Sequence, residues 1–379
     1  MHRLKNVLQE RNTIVIKIGT NLLAQKELGI DVGRVDTIAK SVSYLRSLGK
    51  NVAIVSSGAI GAGVAAMKLS ERPKTIPEKQ ATAAIGQPLL MEVYEDAFRR
   101  EHLPIAQILL TKDDFVNRGR YLNAKNTFAA LFDEGVVPII NENDTVAIEE
   151  IRFGDNDNLS AMVATLIEAN ILIVLSDVDG LYSDNPAYNA SAELIRIVEK
   201  ITPQIERYAR KSKNQLSTGG MVTKIQAAKR CVKAGIVMII ANGKNPQVIN
   251  EIFSGEFRGT VFLPVEKKLS ERKQWIGFVS QTAGVVVVDD GAKNALLKRH
   301  KSLLPSGILE VLGEFKSQEI ISILDIGGNE IGKGITLYSS AELNKIRGKR
   351  SAEVEMVLKR KAPAEVVHRD NLATMEIEE

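Results

Sequence analysis

The chain has 379 residues, of which 44% are hydrophobic and 25% charged, and a formal net charge of +4. That is the composition of an ordinary soluble globular protein of roughly two or three domains, and the charge is too small to mark a nucleic-acid binder. The single cysteine, Cys231, excludes an internal disulfide or a multi-cysteine zinc site. A run of about eighteen apolar residues and a signal-peptide pattern are both missing, so the expected compartment is the cytoplasm, with no membrane partner.

The first predicted element is a strand rich in β-branched residues, Thr13 to Thr20. It carries Lys17, which is costly to bury unpaired. Either the strand ends there and the lysine reaches solvent, or the lysine is a phosphate ligand at the strand terminus. Apolar residues at Val35, Ile38, Ala39, Val42, Leu45 and Leu48 predict a helix closed by Gly49. The strand Val52 to Val55 then feeds Ser56-Ser57-Gly58-Ala59-Ile60-Gly61-Ala62-Gly63. A small-residue turn opening a helix suits an anion, although ordinary tight turns use the same residues. The pattern is neither the Walker A loop nor the dinucleotide fingerprint. Gln80 to Arg100 reads as a helix, interrupted or entered at Gly86 and Pro88.

A strand (Ile105 to Leu110), a helix (Tyr121 to Phe132) and a strand (Val136 to Ile140) follow, and the last runs into Asn141-Glu142-Asn143-Asp144. A second polar cluster, Gly154-Asp155-Asn156-Asp157-Asn158, comes shortly after. Asn and Asp favour turns and caps, so one such cluster is readily a turn. Two, each at the end of an apolar segment, point to a site, and a paired-carboxylate metal or acid/base centre is one version of it. Next come a helix (Leu159 to Glu168), the fully apolar strand Ile171 to Leu175 and the turn Ser176-Asp177-Val178-Asp179-Gly180. A lysine-rich loop (Lys211 to Asn214) precedes Ser217-Thr218-Gly219-Gly220, the helix Val222 to Lys233 and the strand Ile236 to Ile240. Lys224 lies in the first turn or so of that helix, where a cation opposes the helix dipole. A bound anion explains it; a solvated surface lysine is the plainer alternative.

Strands alternating with helices imply an α/β fold over residues 1–264, an open, mainly parallel sheet with helices on both faces. In such sheets ligands bind outside the carboxyl ends of the strands. Lys17, the Ser57 turn, the Asn141 cluster and Ser176-Asp177 all fall near such ends. Residues 265–276 read as a charged linker. Residues 277–379 read as a small β-rich domain with strands at Gly284 to Val288, Gly307 to Leu312, Glu319 to Leu324 and Glu330 to Tyr338. Acidic and basic residues nearly balance there, with basic clusters at Lys345 to Arg350 and Lys359 to Lys361. The histidines are scattered singly and give no metal-ligand spacing, so no metal-ligating residue is expected.

VIKIGTN (Val15 to Asn21), VSSGAIGAG (Val55 to Gly63), PIINENDTVA (Pro138 to Ala147), FGDNDNLSA (Phe153 to Ala161), SDVDGLY (Ser176 to Tyr182) and STGGMVTK (Ser217 to Lys224) together resemble the amino acid kinase family. The resemblance covers nearly the whole chain. SLLPSGI (Ser302 to Ile308) and GKGITLYSSAEL (Gly332 to Leu343) make the C-terminal part resemble a PUA domain, a small β-barrel module. The resemblance implies ATP-dependent phosphorylation of the side-chain carboxylate of L-glutamate to L-glutamyl 5-phosphate, the first step of proline biosynthesis. It also implies Mg2+, feedback inhibition by proline, and a homo-oligomer, dimer or tetramer. By the same resemblance, Lys17 and Lys224 contact the transferring phosphoryl group, with Asp157 between them as organiser. Ser57, Asp144 and Asn156 bind glutamate. Lys17, Ser176, Asp177 and the loop Thr218, Gly219, Gly220, Met221, Val222, Thr223 and Lys224 hold ATP. Ser176 stands where the family commonly has threonine, and Ser217 where it commonly has glycine.

The chemistry agrees. A carboxylate nucleophile is already ionised at neutral pH and needs no general base. The reaction needs positioning and positive charge instead, and that weakens the acid/base reading of the polar clusters. A family member acting on acetylglutamate or aspartate is the nearest alternative. RNA binding by the PUA-like domain is another, motivated by its basic clusters and opposed by its near-neutral balance. The acyl phosphate product is labile, so a glutamyl phosphate reductase is an expected partner.

Overall fold

A computed structural model describes residues 13–23, 29–147, 155–186, 188–189, 191–211, 220–264, 276 and 282–374. The chain divides into two compact units, Met1–Lys268 and Leu269–Glu379. Apart from Ile276, the expected linker lies outside the described residues.

The N-terminal unit is built on an eight-stranded sheet. Its strands are β1 (Thr13–Ile18), β2 (Asn51–Val55), β3 (Ile105–Leu110), β4 (Val137–Glu142), β5 (Ile171–Ser176), β6 (Ile197–Val198), β7 (Val237–Asn242) and β8 (Gly259–Phe262). They lie in the order β3-β4-β2-β1-β5-β7-β8-β6. The ladders are parallel except that between β7 and β8. The central strands are buried on both faces, which is why β5 reads as an unbroken apolar run. Pro138 lacks a backbone donor and sits one residue before the β2–β4 ladder begins at Ile139.

The helices are α1 (Thr20–Leu23), α2 (Val32–Ser47), α3 (Ala59–Ala66), α4 (Ile76–Arg100), α5 (Lys112–Val116), α6 (Arg118–Asp133), α7 (Asn156–Leu166), α8 (Pro203–Lys211), α9 (Met221–Lys233) and α10 (Val248–Ser254). Ile14, Ile16 and Ile18 of β1 join one core with α2, α4 and α10. Side chains alternate along a strand, so Val15 and Lys17 face the other way. The chain adds β2 on one side of β1 and later β5 on the other. A crevice opens at such a reversal, at the carboxyl ends of the strands.

Helices α4, α6 and α7 differ from their sequence reading, α6 by starting at Arg118 behind an Asn117 cap rather than at Tyr121. The α4 helix runs unbroken through Gly86 and Pro88. Gly86 is a contact point rather than a break: a Cβ there would lie 1.8 Å from the Ala59 carbonyl oxygen of α3. Helix α7 begins at Asn156 rather than Leu159, because the Asp155 carboxylate accepts from the Asn158 N–H and caps it.

The C-terminal unit holds a five-stranded, mostly antiparallel sheet of β9 (Gly284–Val288), β10 (Ile308–Leu312), β11 (Ile320–Leu324), β12 (Glu330–Ile335) and β13 (Leu372–Thr374), in the order β10-β9-β11-β12-β13. Helices α11 (Asp290–Leu297), α12 (Ser340–Ile346) and α13 (Ser351–Leu358) complete it. Val286, Ile321, Ile323, Tyr338, Leu343 and Val354 belong to its own core. These helices and β13 were not expected from the sequence. Their segments are short, and their apolar faces are read only against the sheet they cover.

Candidate active site

Lys17 leaves β1 on the face that α7 and α9 cover. Its Nζ lies 2.7 Å from Asp157 Oδ1, and Lys224 Nζ lies 3.1 Å from Asp157 Oδ2. The Thr223 hydroxyl is 2.8 Å from the same Oδ2. Asp157 has no exposed surface, and Lys17 and Lys224 are 6% and 5% exposed. Burial alone would raise the Asp157 carboxyl; the Lys17 and then the Lys224 charges outweigh it and hold it at about 2. The Asp157 carboxylate therefore stays ionised, and the two lysines set against it leave the triad one formal positive charge in excess. Asp157 and Lys224 both sit in the first turn of their helices. The Asp157 carboxylate suits the dipole there, whereas the Lys224 cation opposes it. Two buried ammonium groups converging on one carboxylate are suited to receive an anion.

Beside this triad, Asn156 Nδ2 lies 2.6 Å from the Ser56 carbonyl oxygen, 2.9 Å from Ser57 Oγ and 3.1 Å from Asn141 Oδ1. Gly58 makes the turn between β2 and α3 with a φ of 113°, a conformation that favours glycine. Under that turn the buried Ser56 hydroxyl lies 2.9 Å from the Tyr94 hydroxyl of α4. Burial raises the Tyr94 phenol further from ionisation. Asn141 in turn donates to Gln87 Oε1 on α4 at 2.9 Å. Across the crevice, Asn21 Nδ2 donates to Asp177 Oδ2 at 3.0 Å and Ser176 Oγ to Asp177 Oδ1 at 3.2 Å. Burial would raise the Asp177 carboxyl, but the Asn21 amide and its other donors keep it below the usual carboxylate range.

A family model for the amino acid kinase family matches residues 12–242, and one for the PUA domain matches residues 284–358. A glutamate 5-kinase of Geobacter sp. (strain M21) is 46% identical, over 98% of this chain and 100% of its own. A glutamate 5-kinase of Trichlorobacter lovleyi (strain ATCC BAA-1151 / DSM 17278 / SZ) is 47% identical, over 98% and 99%. The chain belongs to the glutamate 5-kinase branch of the amino acid kinase family. Its fold is similar to that of a carbamate kinase from Giardia lamblia bound to AMP-PNP, at a TM-score of 0.50 and 17% identity, over 68% of this chain and 100% of that one.

Within this amino acid kinase unit, the structure brings Lys17, Asp157, Lys224, Thr223, Asn156 and Ser57 into one connected group. Asp144 is half-buried in the turn that follows β4, where the Ala147 and Val146 N–H groups donate to the Asn143 carbonyl. Ser176 and Asp177 lie at the carboxyl end of β5. Gly220 caps α9 without a side chain, Met221 is buried, and Val222 is 37% exposed. Thr218, Gly219 and Ser217 lie outside the described residues.

Sequence reasoning missed Gln87 and the two-sided role of Asn141, and it read Thr223 as a nucleotide contact alone. Its hydroxyl also holds Asp157. Asp155 was missed as well, although an Asp just ahead of a helical period is a capping signal. Burial and the neighbouring Asp157 push its carboxyl up.

Proposed function

We propose that this chain transfers the γ-phosphoryl group of ATP to the side-chain carboxylate of L-glutamate, giving L-glutamyl 5-phosphate and ADP, the first step of proline biosynthesis. The observation that carries this reading is the buried Lys17–Asp157–Lys224 triad with its excess positive charge, set beside the amide of Asn156.

The ionised substrate carboxylate attacks the γ-phosphorus. Its oxygen forms the new O–P bond while the bond to the β,γ-bridging oxygen breaks, and ADP leaves with that electron pair. No proton has to be removed from the nucleophile. Each lysine ammonium has three donors. Among the described residues one is turned to Asp157, and the others can serve the phosphoryl oxygens as charge shifts toward ADP. Asp157 fixes the two ammonium groups in place and keeps them apart, and Thr223 holds Asp157. Lysine acts here as a point charge on phosphate.

Asn156, Ser57 and Asp144 hold glutamate. The Asn156 nitrogen is engaged by the Ser56 carbonyl and Ser57, which leaves its oxygen to accept from the substrate ammonium. The Asp144 carboxylate suits the same ammonium. Ser176, Asp177 and the loop from Thr218 to Lys224 hold ATP. Among the described residues no three His, Cys, Asp or Glu side chains gather as a metal cage. That donor set fits Mg2+ carried on the nucleotide phosphates, with at most one or two carboxylates such as Asp177 near it. When bound there, Mg2+ neutralises phosphate charge.

Inhibition by proline, a dimeric or tetrameric homo-oligomer, a cytoplasmic location and a glutamyl phosphate reductase that consumes the product complete the reading. They are supported by the family likeness rather than by this geometry. Among the described residues no helix is long and apolar enough to cross a membrane.

ADP release measured with L-glutamate, N-acetylglutamate and L-aspartate tests the substrate. Turnover is expected with glutamate far above the others. A preference for either of the other acids overturns the assignment.

A further inference from the structure

The amide of Gln87 on α4 meets Asn141, the residue that also meets Asn156 beside the triad. Its orientation follows from two backbone groups that have no choice of role. The Glu142 N–H can only donate, so the side-chain atom of Asn141 that it meets at 2.9 Å is Oδ1. The Ser56 carbonyl can only accept, so Asn156 turns its nitrogen that way, and the same nitrogen meets Asn141 Oδ1 at 3.1 Å. Asn141 must then present its nitrogen to α4, and Gln87 answers with its oxygen at 2.9 Å. This leaves the Gln87 nitrogen, with two N–H donors, pointing elsewhere. Among the described residues it has no hydrogen-bond partner, and it is not one of the sealed polar atoms that lack one.

We propose that Gln87 is a further substrate-binding residue, donating from Nε2 to the α-carboxylate of the amino-acid substrate. The inference rests on the glutamate reading above. The reacting carboxylate must lie at the ammonium groups of Lys17 and Lys224. Moving away from them, the chain of contacts passes from Asp157 to its neighbour Asn156, then to Asn141 and then to Gln87. The substrate's α-end therefore falls on the Asn156–Gln87 side. A neutral amide serves there better than a guanidinium, because it binds a carboxylate without competing with the lysines for phosphate.

The donor is also held on a rigid support. Gly86, one residue before, is pressed against α3 so closely that no Cβ fits. About two turns earlier in the same helix, Gln80 donates to the Ala147 carbonyl at 3.1 Å and ties down the turn that carries Asp144. Helix α4 thus sets both the carboxylate donor and the ammonium-binding turn.

The test is Gln87→Glu in the full-length enzyme. A carboxylate oxygen still accepts from Asn141, so the amide network is kept. Both N–H donors are lost, and a negative charge meets the α-carboxylate. We expect the KM for glutamate to rise at least ~10-fold, the loss of one charge-assisted hydrogen bond. The KM for ATP and the Tm should stay close to wild type. 4-Aminobutyrate has the reacting carboxylate and the amine but no α-carboxylate. Its inhibition constant should not rise in the variant, because the new carboxylate faces only its ammonium, whereas a merely structural role for Gln87 predicts weaker binding of both ligands.

A glutamate KM within about twofold of wild type in the folded variant overturns the assignment, as does an equal loss for glutamate and 4-aminobutyrate. If Gln87→Glu does not fold, Gln87→Met is measured by the same criteria. Failure of the wild type to turn over glutamate is a different result. It removes the parent reading, and this one with it.

Discussion

Asp157 in the N-terminal unit and Asp325 in the C-terminal unit are both held at about 2, by different means. Asp325 gets there through a hydrogen bond from Lys293 at 2.8 Å and the backbone N–H of Asn329 at 2.9 Å. Asn329 closes the turn after β11, Lys293 comes from α11, and one cation balances one anion. Asp157 gets there against the penalty of burial, through two lysines from β1 and α9. These elements are distant in sequence, and within the triad two cations meet one carboxylate, with Asp155 and Asp177 further off on the Lys17 and Lys224 sides. A depressed carboxylate therefore does not identify a site by itself. The residual charge does, because a structural ion pair has no use for an extra buried cation.

Lys224→Ala breaks the imbalance and makes Asp157 resemble Asp325. It should lower kcat by about 10²–10³-fold, the loss of one preorganised donor, in a protein with normal circular dichroism. Near-normal kcat in that folded variant would end the role assigned to Lys224. Asp157→Asn does the reverse and leaves two buried ammonium groups without a counter-charge. Urea unfolding should show a loss of about 3–5 kcal/mol.

The pH dependence follows from the sign of the shift. The folded carboxyl of Asp157 lies below its free value of about 3.9, so its contribution is complete above about pH 4 and is lost as pH falls through about 2. Acid titration of Asp157→Asn should lack that component. Asp325→Asn should lower the Tm of the C-terminal unit and leave kcat unchanged; a kinetic defect there would undo the contrast.

Asn156→Ala has a smaller expected effect, a rise in the glutamate KM of roughly tenfold with little change for ATP. A rise in the ATP KM instead would mean that the two subsites are divided differently. Removing residues from Gly277 onward should change least. Kinase activity should survive, because each motif of the triad and its neighbours lies earlier in the chain. A soluble truncation without activity would make the C-terminal unit part of the catalytic apparatus.

Most of the parallel sheet was legible because its strands are buried on both faces and read as short apolar runs bounded by polar clusters. The cluster at Asn156-Asp157 was visible for the same reason, but its division of labour was not. Asp155 starts the helix early and turns adjacent residues to different partners, one toward Ser57 and one toward Lys17. Gly86 misled because its cause is tertiary: the sequence carries a glycine, while the Ala59 carbonyl that demands it comes from another helix. Gln87 left no signal, since a polar residue on an amphipathic helix is ordinarily solvated. Only its meeting with Asn141, 54 residues away, distinguishes it. The antiparallel strand β8 was missed because its four residues, Gly259–Phe262, are too few for a period.

The paired ammonium groups of the triad serve phosphoryl transfer to a carboxylate in the reaction proposed above. The most direct test is to incubate the enzyme with ATP, Mg2+ and L-glutamate in the presence of hydroxylamine, and to measure ADP and acyl hydroxamate together. The wild type should give equal amounts of glutamyl hydroxamate and ADP, and Lys224→Ala about 10²–10³-fold less of both. ADP release without hydroxamate, or undiminished hydroxamate from Lys224→Ala, would contradict it.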